Sequence, residues 1–263
     1  MSRIVTVGLD YTISGGAQFG NPNSNNTWQP WNQLTASSPI DCDELIFYGG
    51  ASYYMNYGLY ELGVGPAGSE VVIGGPFIAC QLANSTNNIP ALIVKLQQKI
   101  PAGTRIAWRV QMNNNNQYGG ASLMLINRGN SKGEHIGIID SLGSVLTNSS
   151  GTAVNPGTTA NAKGAWVQLI ASTVHDYKAL ILGLSFSGGS SGTDSYLFDI
   201  GVGAAGSEQI VVPDFWAGCD NTAFVHNASP EFPVNVPAGS RIAVRCQCTT
   251  ASSIAYVNLL GLM

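Results

Sequence analysis

The chain has 263 residues, 44% of them apolar and only 10% charged, with a net charge of −4. A charged share far below the usual figure of about 25% leaves a surface of Asn, Ser, Thr, Gln and Gly, and no basic run offers a nucleic-acid footprint. No apolar run approaches the roughly 18 residues of a membrane span, while 32 Gly and 12 Pro suit a turn-rich all-β protein.

In chain order, residues 3–9 alternate as a first strand and are too short in their apolar part for a signal peptide. Residues 13–27, rich in Gly, Asn and Ser, read as a long loop. Leu45 to Tyr48 is a short strand ended by Gly49-Gly50, Tyr53 to Leu62 an aromatic strand, Gly63 to Gly68 a turn, and Val71 to Ile73 a strand pairing back. Leu92 to Ile100 reads as strand, from its β-branched residues and the Pro101 that follows. Pro101-Ala102-Gly103 makes a turn. After it Ile106, Trp108, Val110 and Met112 alternate with Arg105, Ala107, Arg109 and Gln111, the period of a strand with one buried face. Asn113 to Gln117 reads as a hairpin loop, Ala121 to Ile126 as a closing strand, 127–133 as a linker, and 143–165 as a second long loop equivalent to 13–27. The expected content is seven or eight short strands per half and no helix.

The chain repeats itself. Pro101 to Gln111 returns as Pro237 to Gln247 with eight of 11 positions identical. At an offset of 135, Trp31-Asn32-Gln33-Leu34 answers Trp166-Val167-Gln168-Leu169, Asp41 answers Asp176, and Leu45-Ile46 answers Leu180-Ile181. At an offset of 138, Leu62 to Glu70 answers Ile200 to Glu208. The offset changes between motifs and never inside them, as for strands joined by tolerant loops. The reading is two tandem copies of one domain, 1–130 and 131–263, each an all-β sandwich of jelly-roll or Greek-key type. A period this long means duplicated domains rather than a solenoid.

The residues that could carry chemistry are few. Four arginines, Arg105, Arg109, Arg241 and Arg245, project from the repeated strands, and the acids Glu61/Asp199 and Glu70/Glu208 recur with them. They fit either cross-strand ion pairs within each copy or an interface stripe. Cys246 and Cys248 have the spacing of a metal pair, but they replace Val110 and Met112 on the inward face and so read as buried thiols. His175-Asp176 lacks a counterpart histidine in copy 1, where Ile40 stands. No catalytic residue, metal or cofactor is expected. Trp28, Tyr53, Tyr54 and Tyr57, which have no aromatic counterparts in copy 2, are candidates for glycan contact.

Gly-Val-Gly-x-Ala-Gly-Ser-Glu at 63–70 and 201–208, followed by Pro-Ala-Gly-Thr/Ser-Arg-Ile-Ala-x-Arg-x-Gln at 101–111 and 237–247, resembles a pattern in virion structural proteins of tailed bacteriophages. The resemblance implies a non-enzymatic β-sandwich on the particle: a head decoration (cement) protein that stabilises the capsid, or a tail or fibre component. It implies copies of itself, most simply a trimer, and the major capsid or another virion protein as partners. The place is the virion, assembled in a reducing host cytoplasm that free thiols fit. Ile4 and Val5, in the first strand, join the four arginines as candidate interface residues, because a terminal strand can pair with a neighbour's sheet edge. A carbohydrate-binding module is the alternative.

Overall fold

The computed structural model describes residues 3–10, 15–19, 25–52, 58–79, 89–113, 118–128, 139–186, 194–219 and 231–263. The first half holds β1 (Arg3–Val7), β2 (Leu9–Asp10), β3 (Gly15–Phe19), β4 (Asn32–Thr35), β5 (Glu44–Ser52), β6 (Gly58–Val64), β7 (Val71–Ala79), β8 (Ile89–Leu96), β9 (Ile106–Met112) and β10 (Tyr118–Asn127). The second half repeats the series as β11 (Ile139–Leu142), β12 (Ser144–Val145), β13 (Ser150–Val154), β14 (Val167–Ile170), β15 (Ala179–Phe186), β16 (Asp194–Val202), β17 (Gln209–Cys219), β18 (Glu231–Phe232), β19 (Ile242–Cys248) and β20 (Ala255–Leu262). Among the described residues the one helical turn is a 3-10 turn at Leu146–Asn148.

Each half is an antiparallel sandwich, jelly-roll-like, with a four-stranded sheet packed on a six-stranded one. The four-stranded sheets run β4-β9-β6-β7 and β14-β19-β16-β17. The six-stranded sheets run β2-β3-β10-β5-β8, with β1 also on β10, and β12-β13-β20-β15-β18, with β11 also on β20. The two orders are the same strand for strand, so the duplication written in the sequence is a duplication of topology.

Inward residues alternate as the pleat requires. In copy 1 the core gathers Leu45, Phe47, Tyr60, Leu62, Phe77, Val94, Trp108, Val110, Leu123 and Leu125 from both sheets. In copy 2 it gathers Leu180, Leu182, Tyr196, Phe198, Ile200, Val244, Cys246, Val257 and Leu259. Each such side chain contributes about 1.5–3 kcal/mol by leaving water. The ring stacking differs between the two cores. Trp108 stacks on Tyr60 at 5.8 Å and 9°, whereas in copy 2 the equivalent of Trp108 is Val244 and the ring stacked on Phe198, at 5.6 Å and 15°, is Tyr196. Tyr196 stands opposite Cys248 as Gly58 stands opposite Met112, so copy 2 takes its stacked ring from the same strand as Phe198.

The Pro-Ala-Gly turns have a common brace. The carboxylate of Asp41 accepts the Ala102 N–H at 2.8 Å, and that of Asp176 accepts the Ala238 N–H at 2.7 Å. Gly103 and Gly239 lie at φ +85° and +81°, conformations that side-chain-bearing residues adopt only with strain.

Several expectations need correction. Asn113 to Gln117 does not close a hairpin: β9 pairs with β4 and β6 while β10 pairs with β1, β3 and β5, so the chain crosses between sheets there. The supposed loops 13–27 and 143–165 hold β3, and β12 with β13, short strands held by backbone hydrogen bonds that leave no apolar alternation to read. Gly49-Gly50 does not end β5, which runs on to Ser52 because its backbone stays paired with β10 and β8. Among the described residues the strand count is ten per copy rather than seven or eight. The outward face of β9 is also covered, since Ala107 and Gln111 are buried.

The copies pack on each other. Leu180 and Leu182 of β15 point into the copy-2 core, while Ala179 and Ile181, with Leu260 and Leu262 of β20, belong to an apolar cluster continuous with the copy-1 core. The carbonyl of Pro76 in β7 accepts from the Asn258 amide at 2.9 Å and the Ser141 hydroxyl at 3.1 Å. Ser149 donates to the Asn26 side chain at 2.9 Å, and the Gln111 amide bonds the Leu146 carbonyl.

Candidate interaction surfaces

The four arginines lie in ion pairs within their own copies. Arg105 donates through Nη1 to Glu70 at 2.7 Å and to the Gly65 carbonyl at 3.1 Å, and through Nε to Gln33 at 3.1 Å. Arg241 makes the same three bonds, to Glu208 at 2.8 Å, the Gly203 carbonyl at 3.3 Å and Gln168 at 2.9 Å. Glu70 and Glu208 each accept a turn N–H as well, from Gly68 and Gly206. Each arginine therefore fastens the β6–β7 or β16–β17 turn to the strands behind it. Burial opposes charge on these carboxylates, but the guanidinium and the turn N–H groups hold both below the usual carboxylate range.

The second pair of arginines shows where the copies diverge. Arg109 meets Glu61 at 2.5 Å and lies between Trp28 and Trp31, with ring centroids at 4.8 and 4.6 Å. Arg245 meets Asp199 at 2.8 Å and lies on Trp166 at 4.6 Å. At the offset of 135, Lys163 stands where copy 1 has Trp28, and its ammonium reaches Asp199 at 2.9 Å and Asp214 at 2.8 Å. The carboxylates respond in opposite directions. For Glu61 burial outweighs its one cation and the acid is pushed up. For Asp199 burial is overcome by the Asp214 N–H, Lys163 and Arg245, and the acid is pulled down.

Trp28 thus packs one face on Arg109, inside the copy-1 framework. Tyr53, Tyr54 and Tyr57 lie outside the described residues. Ile4 projects outward, 60% exposed, from a strand paired in register with β10 of its own copy. Val5 points inward against the copy-1 core, because the pleat sends alternate residues to opposite faces.

His175 and Asp176 do not act together. The His175 ring pairs with Asp140 at 2.7 Å, the same carboxylate oxygen accepts the Tyr177 hydroxyl at 2.7 Å, and Asp176 braces its turn. Burial and the adjacent Asp140 push the Tyr177 hydroxyl well above its ordinary value. Among the described residues no group of three or more His, Cys, Asp or Glu is placed to hold a metal ion.

Cys42, Cys246 and Cys248 are buried free thiols. Burial, then the neighbouring Cys248, pushes Cys246 up to about 12. Burial, with Asp43 and Asp41 adding, pushes Cys42 up to about 11. Thiolate is the reactive form, so native protein is expected to leave all three unlabelled by a thiol reagent and denatured protein to label them at once. Cys246→Val, the residue copy 1 carries at Val110, is expected to change stability by less than about 1.5 kcal/mol. Fast native labelling at Cys246 would contradict both expectations.

These features define a tandem β-sandwich protein whose repeated polar residues serve its own framework. No family model and no curated protein matches the chain. Among solved structures it is similar to the N-terminal CBM22-1-CBM22-2 tandem domain of Xyn10C from Paenibacillus barcinonensis, at 10% identity and a TM-score of 0.30, covering 100% of this chain and 91% of that one. A second is a structure of infectious bursal disease virus, Gx strain, at 10% identity and a TM-score of 0.26, covering 100% and 71%. The fold assignment rests on the strand pairing itself.

Proposed function

We propose that this chain is a non-enzymatic virion structural protein of a tailed phage, a decoration or cement protein of the head that acts as a homotrimer against the major capsid protein. The observation that supports this most directly is the use of the duplicated motif. In both copies its Arg, Glu and Gly residues are engaged in holding one turn rigid, which is architecture rather than chemistry. The phage-like pattern at 63–70 with 101–111, and at 201–208 with 237–247, points to the particle. A cement protein acts by mass action, since binding only the assembled shell stabilises it.

The test is to mix purified protein with heads lacking their decoration. Co-sedimentation with heads and a higher temperature of genome release are expected; co-sedimentation with isolated tails or with neither overturns the head assignment. The second reading is a glycan-binding tail or fibre component. It is favoured by the indole of Trp216, 65% exposed on β17, as a stacking surface for a sugar. Glycan-array binding abolished by Trp216→Ala would select it.

A further inference from the structure

We propose that the chain associates head to tail with a second copy of itself, β17 of one molecule seating on the outer face of the copy-1 six-stranded sheet of the next. The contact inside the chain supplies the pattern. There, the Pro76 to Ile78 end of β7 sits on the outer face of the copy-2 sheet, against Ile181, Gly183, Asn258 and Leu260. A Cβ on Gly183 would lie 2.6 Å from Ile78, so glycine is what lets the isoleucine seat so closely. The contact is heterologous: a strand of one domain meets a sheet face of the other. Such a contact repeats until a ring closes or a fibre grows.

Within one chain the repeat is interrupted, with one half of the contact left over at each end. The strand registers identify the leftover halves. Ile78 pairs with Leu59 in copy 1 as Trp216 pairs with Leu197 in copy 2, so Trp216 is the counterpart of Ile78. Ile78 is 2% exposed and Trp216 is 65% exposed. At the other end of the two strands the counterparts Val72 and Ile210 are 42% and 45% exposed, so the difference is confined to the end that docks. On the receiving side, Ile46 pairs with Met124 and Tyr48 with Ser122, as Ile181 pairs with Leu260 and Gly183 with Asn258. The copy-2 set is buried beneath β7, whereas Ile46, Tyr48, Ser122 and Met124 are each partly open. Ile4, exposed beside them, is the counterpart of Ile139, which packs against the cluster between the copies.

The contact is altered on both sides together. Inside the chain it is isoleucine over glycine; between chains it is Trp216 against Tyr48, a pairing of the aromatic residues that carry protein interfaces. Trp216 is already oriented, its indole N–H donating to Ser195 at 2.8 Å, so little side-chain freedom is lost on docking. Three chains closing in this way would make a ring of six like domains. The association is a property of the protein alone and stands or falls apart from its place on a virion.

The experiment uses the full chain with two outward substitutions, Trp216→Arg and Tyr48→Arg. Light scattering and sedimentation of the wild type at micromolar concentration are expected to show an oligomer. Each variant alone is expected to be a monomer, its dissociation constant raised at least about 30-fold, the effect of losing one interface hot spot. Mixed in equal amounts, the variants are expected to form a dimer and nothing larger, because one intact strand and one intact face remain between them. Continued protection of Cys246 from thiol reagent shows that the variants are folded. A monomeric wild type overturns the proposal, as do variants that keep the wild-type size or a mixture that stays monomeric. A monomeric wild type whose Trp216 fluorescence shifts on adding an oligosaccharide overturns it in favour of a glycan surface.

Discussion

Trp108→Val is expected to destabilise copy 1 by about 3 kcal/mol, although valine is what copy 2 carries at the same place, Val244. Trp108 is completely buried and stacks on Tyr60. In copy 2 the ring stacked on Phe198 is Tyr196, which lies opposite Cys248 while Val244 lies opposite Ile200, so it does not stand in for the indole. Copy 1 has Gly58 in the position of Tyr196. The loss combines transfer of the ring to water with the cavity left behind, and it is a large fraction of the stability of a small domain. Denaturant unfolding is expected to show an earlier transition for copy 1, with Cys246 of copy 2 still protected through it. A change below about 1 kcal/mol would mean that the core repacks freely around the smaller side chain.

Asp199→Ala is expected to cost copy 2 about 2–4 kcal/mol, the lower part of the range for breaking a buried ion pair because its cations are partly open to water. Asp199 is 3% exposed and joins Lys163, Arg245 and the Asp214 N–H. The same group gives the copies different acid responses. The Asp199 carboxyl is held below its unfolded value, so its stabilisation is full above about pH 4 and is lost as pH falls through the folded value. Glu61 is shifted the other way. The folded chain binds its proton more tightly than the unfolded chain does, so protonation as pH falls through that raised value favours the folded state. Glu70 and Glu208 are both held low and act with the same sign in both copies. The urea midpoint of copy 2 is therefore expected to fall as the pH drops below about 4, and Asp199→Asn to flatten that fall. Parallel acid limbs in wild type and variant would show that Asp199 does not set the acid stability.

The duplication was legible because repetition needs no physics to read. Identical residues at near-constant offsets mark equivalent positions, and the two halves share one strand order. The inward face of β9 and β19 was legible too, from simple alternation. So was the pairing of arginines with the recurring acids as one of two readings, since residues that recur together in both copies can meet in both. What failed to show was whatever alternation does not encode. The short strands β3, β12 and β13 are held by backbone bonds to β10, β13 and β20, with few apolar side chains to announce them. The crossing after β9 was read as a hairpin because short polar loops look alike whether they stay in a sheet or leave it.

The candidate surfaces divide in the same way. Repetition and alternation in the residues suffice for two like sandwiches, their inward faces, and the buried place of Cys246 and Cys248. Which outer faces are covered follows from the packing of the two copies. Ile78 and Trp216 occupy equivalent positions, and so do Ile181 and Ile46, yet one of each pair is buried and the other open. A strand pattern distinguishes core from outside within one sandwich. Whether an outer face meets water or another domain depends on how two rigid bodies pack, and that is fixed by shape at a few points: a glycine at 183 that admits Ile78, and an asparagine at 258 that bonds the Pro76 carbonyl.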